Sequence, residues 1–144
     1  NAFIVLAKSN GFAGPRLIED RRLEMPDSIV SERIGNIGFC SATYRLFKLD
    51  KLESACEDYG QAVIYKGSIE QAPYLFNLDK HHAIEAGKVF PVCGNTWRML
   101  HETRFLDYFT VIGDFSNHYG LFEGCGSAIP FDATSNSVDM NPCC

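Results

Sequence analysis

No apolar run in the sequence approaches the ~20 residues that a membrane-spanning helix requires. The longest is Ala2 to Ala7, so the chain is expected to be soluble. An excess of basic residues is missing too. The balance of 13 Lys and Arg against 18 Asp and Glu gives a net charge of -5 and a pI near 5.3. That excludes a phosphate-tracking nucleic-acid surface and a polybasic membrane patch. The six cysteines (Cys40, Cys56, Cys93, Cys125, Cys143, Cys144) contain no CxxC pair and are too sparse for a disulfide scaffold. Zinc-ribbon and thioredoxin-like readings therefore fail, and reduced thiols in an intracellular protein are expected. Neither an internal repeat nor a low-complexity block occurs. Asn1 is not an initiator Met, and no charged segment that could make a signal peptide precedes the apolar opening. The stretch is expected to be the back end of something longer. What is present is ordinary globular material, 46% hydrophobic and 22% charged over 144 residues. Such a length buries ~70% of its unfolded surface.

Phe3, Leu6 and Ala7 share one helix face, in a pattern that stops at Asn10-Gly11, where glycine supplies a left-handed C-terminal residue. Gly14-Pro15 makes a turn and Arg16 to Met25 reads as extended, closed by Pro26, with Asp27 or Ser28 capping a short helix through Ile34. Phe39 to Leu49 alternates with Phe39, Ala42, Tyr44 and Leu46 inward, and a slip near Cys40 leaves room for a bulge. Ala62 to Ile69, Tyr74 to Leu78, Val89 to Cys93, Phe109 to Gly113 and Tyr119 to Phe122 read as further short strands. Gly94-Asn95-Thr96 places a capping residue ahead of a helix that runs through Trp97 and Leu100 to Thr103. Strands in succession without long helices between them imply antiparallel pairing. The predicted fold is therefore α+β, one antiparallel sheet built from the strands near 39–49, 62–69, 74–78, 89–93 and 109–113, with the Trp97 helix on one face. Its expected core is Phe39, Leu46, Phe47, Ile64, Phe76, Phe90, Trp97, Leu100, Phe109 and Ile112.

Gly124-Cys125-Gly126 follows a strand, but Pro130 arrives too soon for the helix that a nucleotide-binding loop needs, so a turn is expected. His81 and His82 are adjacent, which on an extended segment points them to opposite faces, and with Lys80 they read as a solvated turn. His101 and His118 read as structural or surface groups. Glu53, Glu57 and Asp58 around Cys56 read as a solvated acidic loop, with a carboxylate pair as the alternative. Cys40 and Cys56 read as small hydrophobes. Cys93 precedes a helix N-terminus whose amides can lower a thiol pKa, the setting of a nucleophile or soft-metal ligand.

Three stretches resemble one family. IGNIGFCSATYRLFKLDKLESACEDYGQAVIYKGSI (Ile34 to Ile69), LDKHHAIEAGKVFPVCGNTWRML (Leu78 to Leu100) and TRFLDYFTVIGDFSNHYGLFEGCG (Thr103 to Gly126) resemble the C-terminal half of the arsenite S-adenosylmethionine methyltransferases. The opening AKSNGFAGPRLIEDRRLEM resembles the end of that family's S-adenosylmethionine-binding domain. The resemblance implies a doubly wound N-terminal domain that holds S-adenosylmethionine, and cysteine thiolates that hold trivalent arsenic while its lone pair attacks the sulfonium methyl. Soft thiolates suit such a centre, and holding it in line with the methyl is proximity catalysis. The family's glycine-rich loop and earlier arsenic-binding cysteines would lie upstream of Asn1. In vertebrate members an arsenic-ligand cysteine stands just before SAT(Y/F)RLFK; that position is Ile37 here, and Cys40 is the nearest thiol. Three strand residues span ~10 Å and reverse the face, so Cys40 replaces such a ligand only where the backbone bulges. Cys125 and the pair Cys143-Cys144 resemble cysteines near the family's C-terminus, with implied redox or arsenic-handling roles.

The resemblance thus implies arsenic ligation by Cys40, Cys125, Cys143 and Cys144, with no catalytic or cofactor-binding residue in this chain. It implies that residues 1–27 end a cofactor domain as a helix-strand remnant, that 28–131 form a C-terminal α+β domain, and that 132–144 are a flexible tail. The expected function is an arsenic-handling, active-site-covering domain of an arsenite methyltransferase-like protein. The alternative is a non-catalytic methyltransferase-derived accessory subunit of a larger assembly. The chain alone is expected to be inactive and not to bind S-adenosylmethionine. Its expected partner is the missing N-terminal methyltransferase domain or another protein subunit, with no nucleic acid and no membrane span. The expected setting is cytoplasmic, or organellar for an accessory subunit. The cysteines are expected to be mostly unbridged, with Cys143-Cys144 as the exception.

Overall fold

The computed structural model describes residues 2–24, 32–35 and 37–123. In chain order the elements are α1 (Ala2–Ser9), β1 (Arg16–Leu23), β2 (Phe39–Arg45), β3 (Glu57–Asp58), β4 (Gln61–Tyr65), β5 (Leu75–Asn77) and β6 (Ala83–Glu85). There follow β7 (Val89–Val92), α2 (Gly94–His101), a 3-10 turn (Leu106–Tyr108), β8 (Phe109–Ile112) and β9 (Gly120–Leu121). The α1 helix stops where expected, because Gly11 takes φ +82° and donates its N–H to the Lys8 carbonyl at 3.1 Å. Residues 32–34 are helical. The capping candidates Asp27 and Ser28, the Gly124-Cys125-Gly126 turn and the tail beyond Pro130 lie outside the described residues. Among the described residues, no helix is long and apolar enough to cross a membrane.

The α+β class and the antiparallel pairing hold, but the strands share no single sheet. β4 is the centre of a three-stranded sheet, β7-β4-β8, in which Val63 faces Phe90 on one side and Val111 on the other. β2 pairs instead with β1, Cys40 lying opposite Arg22, and β5 pairs with β6. Two short neighbours already occupy both edges of β4, so the remaining strands pair outside that sheet: β1 with β2 and β5 with β6 as chain neighbours, and β3 with β9 across the length of the domain, Glu57 opposite Leu121. The irregularity in the β1–β2 ladder falls between Leu17 and Glu19, not at Cys40.

Tyr65, Phe76, Phe105 and Phe109 form the centre of the core, with ring centroids 5.2 to 5.6 Å apart where they meet. α2 lays Trp97, Met99 and Leu100 against this cluster. Of the expected core, Phe47, Phe76, Trp97, Leu100 and Phe109 are buried, Phe90 is half-buried against the cluster, and Ile64 is half-buried. Phe39, Leu46 and Ile112 are exposed. On β4 the inward face carries Val63 and Tyr65, one residue out of step with the expectation for Ile64, and a one-residue step exchanges the faces of a strand. The buried Tyr65 hydroxyl donates to the Ala72 carbonyl at 2.7 Å and accepts the Ile69 N–H at 3.2 Å.

Candidate functional site

The connection from β5 to β6 is organised by one carboxylate. Asp79 accepts the backbone N–H of His81 at 2.8 Å and of His82 at 3.0 Å, as an aspartate at the head of a turn does. The same oxygen lies 2.7 Å from His82 Nδ1, and the other accepts Arg16 Nη1 at 3.3 Å. Arg16 also donates to Thr96 Oγ1 at 2.9 Å, and Thr96 Oγ1 lies 3.4 Å from Cys93 Sγ. Lys80 and His81 are exposed as expected of a solvated turn, but His82 is wholly buried. The missed signal is an aspartate three residues ahead of a histidine, which lets one carboxylate satisfy both the turn and the ring.

Burial works to raise the Asp79 pKa, and the His82 hydrogen bond, the His82 and Arg16 charges and the His81 amide outweigh it, bringing the carboxyl down to about 2. A carboxylate held below its ordinary value near 3.8 adds stability above that value, and the gain is lost as pH falls toward about 2. We expect the chain to lose about 2 kcal/mol between pH 5 and pH 2 from this group, at 1.36 kcal/mol per pKa unit. Urea denaturation across that range checks this, and Asp79→Asn is expected to flatten the slope.

A cleft of about 840 Å³ lies between residues 8–17 and the 49–56 loop, with Asp79, Asn95 and Met99 among its lining. Its volume is that of a small-molecule pocket. Asn95 ties one wall in place: Nδ2 donates to the carbonyls of Glu53 (2.9 Å) and Ala55 (3.2 Å), and Oδ1 accepts the Glu53 N–H at 2.7 Å. The expected capping residue within Gly94-Asn95-Thr96 is not found, since all three lie inside the helix; Cys93 holds the cap position without a side-chain cap bond. Glu53 and Glu57 are not solvated loop residues either. Glu53 accepts the Tyr59 hydroxyl at 2.6 Å, which raises the Tyr59 pKa, and Glu57 lies 2.9 Å from His118 Nε2.

The strand-to-helix junction between β7 and α2 does not fit a nucleoside cofactor. A Cβ on Gly94 would meet Tyr59 at 2.9 Å and Phe115 at 3.0 Å, so aromatic rings already occupy the ground in front of the helix. Among the described residues no other strand runs into a helix through a glycine turn.

The described cysteines occupy three different environments. Cys40 is an exposed free thiol at the end of the β1–β2 hairpin where residues 24–38 connect the two strands. Cys93 is completely buried, which removes it as the accessible nucleophile that its place before a helix suggested. Cys56 lines the cleft and is disulfide-bonded, its partner being neither Cys40 nor Cys93, so the expectation of a reduced thiol fails there. Cys125, Cys143 and Cys144 lie outside the described residues. No group of three or more His, Cys, Asp or Glu side chains that could hold a metal ion occurs among the described residues.

Comparison with known proteins places this arrangement. Residues 59–137 match the family described as the arsenite methyltransferase C-terminal domain. Over its full length the chain is 59% identical to an arsenite methyltransferase of Aquipseudomonas alcaligenes, of which it covers 42%. A Homo sapiens arsenite methyltransferase is 30% identical over 74% of this chain, which covers 28% of that protein. The crystal structure of an arsenic(III) S-adenosylmethionine methyltransferase from Chlamydomonas reinhardtii superposes on 85% of the chain with a TM-score of 0.77 at 40% identity; the match covers 41% of that protein. The chain thus spans less than half the length of these relatives. It belongs to the arsenite methyltransferase family, and its residues 59–137 are that family's C-terminal domain.

Proposed function

We propose that this chain handles the arsenic in an arsenite methyltransferase, seating a thiol-bound trivalent arsenical and covering the active site while S-adenosylmethionine is held by an upstream domain. In this reading residues 1–27 complete the cofactor domain, 28–131 are the substrate-side domain, and 132–144 are a cysteine-ended tail. The observation that carries it is the exposed Cys40 thiol at the connected end of the β1–β2 hairpin, with exposed apolar neighbours. Ile37 is 63% exposed and Phe39 40%. At the other end of β2 the Phe3 ring of α1 rests 4.9 Å from Tyr44, and Phe3, Val5 and Leu6 of α1 are exposed. An apolar surface of this kind favours a protein partner, and the upstream domain is the one that family membership supplies. Once the Cys56 disulfide is reduced, Cys40, Cys125, Cys143 and Cys144 are the thiols assigned to arsenic, which as a soft centre prefers sulfur ligands.

Titration of the reduced chain with phenylarsine oxide tests this. Cys40→Ser and Cys125→Ser are each expected to weaken binding about tenfold or more, a loss of ~1.4 kcal/mol per decade. Unchanged binding in both variants would remove the site from the folded domain. Calorimetry with S-adenosylmethionine is expected to show no micromolar binding, and sedimentation of the chain alone is expected to show association.

A further inference from the structure

Arg16 and Arg45 stand directly opposite one another at the base of the β1–β2 hairpin, and like charges in that position repel. Each is taken up by a different acceptor of the same short segment. Arg16 donates to Asp79, while Arg45 Nη1 donates to the carbonyls of Asn77 at 3.0 Å and Leu78 at 2.7 Å. The Lys80 N–H donates to the Leu17 carbonyl at 2.9 Å, and the Lys80 ammonium pairs with Asp20. Residues 77–80 therefore grip the hairpin at its base. At the other end of the hairpin Ile37, Phe39 and Cys40 are exposed.

From these contacts we infer that Asp79 is a positioning residue. Braced by the His81 and His82 amides and the buried His82 ring, it fixes the angle of the β1–β2 hairpin against the rest of the domain, and with it the place of the Cys40 end. The functional weight of the inference rests on the reading that this end handles the substrate. Cys40 lies five residues along β2 from Arg45, about 17 Å at ~3.4 Å per residue. A rotation of ~10° at the base would carry the thiol about 3 Å, enough to spoil an in-line geometry. Asp79 itself touches no reacting atom.

Residual dipolar couplings of the 15N-labelled full chain test the grip. In the unaltered chain, amides of β1–β2 and of β4, β7 and β8 are expected to fit one alignment tensor. In Asp79→Asn and in Arg16→Gln the hairpin amides are expected to need a separate, smaller tensor, the sheet keeping its own. The double variant should go no further than Arg16→Gln alone, because both substitutions remove the Arg16–Asp79 contact and only Arg16→Gln also removes the bond to Thr96. Glu85→Gln breaks an exposed ion pair to Lys88 on the neighbouring β5–β6 hairpin and is expected to leave the single tensor intact. A common tensor in both test variants overturns the inference. So does failure of both to give a dispersed spectrum, which would make the contact a folding element of the whole domain. Phenylarsine oxide affinity separates the two levels. Absence of binding by the unaltered chain sinks the substrate reading and leaves the grip to the couplings. Where binding is present, Asp79→Asn is expected to weaken it about tenfold at unchanged stoichiometry, a shift of ~1.4 kcal/mol, and equal affinity would deny Asp79 a positioning role.

Discussion

Leu100→Ala is expected to destabilise the chain by about 3 to 4 kcal/mol, within the range seen when a fully buried leucine is cut back to alanine. Leu100 has no exposed surface and belongs to the same cluster as Trp97, Phe105 and Phe109. Its surroundings are a sheet strand and interlocked aromatic rings, which have little freedom to collapse into the space, so the cavity cost adds to the lost transfer energy. α2 also presents Asn95 and Thr96 to the cleft and to Arg16, and loosening its seat reaches both. Equilibrium urea denaturation measures the effect. A loss under ~1 kcal/mol would mean that the helix repacks freely, against the packing described above.

Asn95→Ala is expected to cost about 2 to 3 kcal/mol, at roughly 1 kcal/mol for each of three lost hydrogen bonds, with the groups left behind poorly solvated. The three partners are the Glu53 N–H and the Glu53 and Ala55 carbonyls. Asn95→Asp separates geometry from volume. It keeps the acceptor for the Glu53 N–H but sets carboxylate oxygens against two carbonyls, and is expected to be at least as damaging as alanine. Because the tethered loop leads into Cys56, both variants are expected to speed reduction of its disulfide by dithiothreitol. An unchanged reduction rate alongside the stability loss would show that the loop holds its place without Asn95.

Much of the architecture is legible one segment at a time. The stop of α1 at Gly11, the start of the second helix beyond Cys93 and most of the short strands follow from glycine placement and β-branched or aromatic residues read over a few positions. Family membership is equally local, since stretches such as SATYRLFKL and VCGNTWRML carry it without any coordinates. Strand partners are less legible. Segment 39–45 alternates well enough to be a strand, yet its apolar residues gave no sign that β1, rather than the central sheet, would pair with it.

The polar site was the least visible part, and the reason is distance along the chain. Asp79 meets Arg16 across 63 residues, and Asn95 meets Glu53 across 42. Neither separation leaves a pattern in a short window, so nothing marked Asp79 or Asn95 as a tether; His82 read as solvated for a different reason, its partner Asp79 standing only three residues ahead in a turn that looked wholly polar. The exposed Cys40, the buried Cys93 and the bridged Cys56 are the same residue type in the sequence, and only their surroundings set them apart. By itself, then, the sequence determined where the chain turns, which segments extend or coil, and which family it belongs to, because those properties depend on backbone preferences and side-chain order among near neighbours. The tertiary structure alone decided which strands pair, which face of β4 is buried, and which carboxylates and amides become fixed partners. Those outcomes depend on desolvation and hydrogen bonding between groups that only the completed fold brings together.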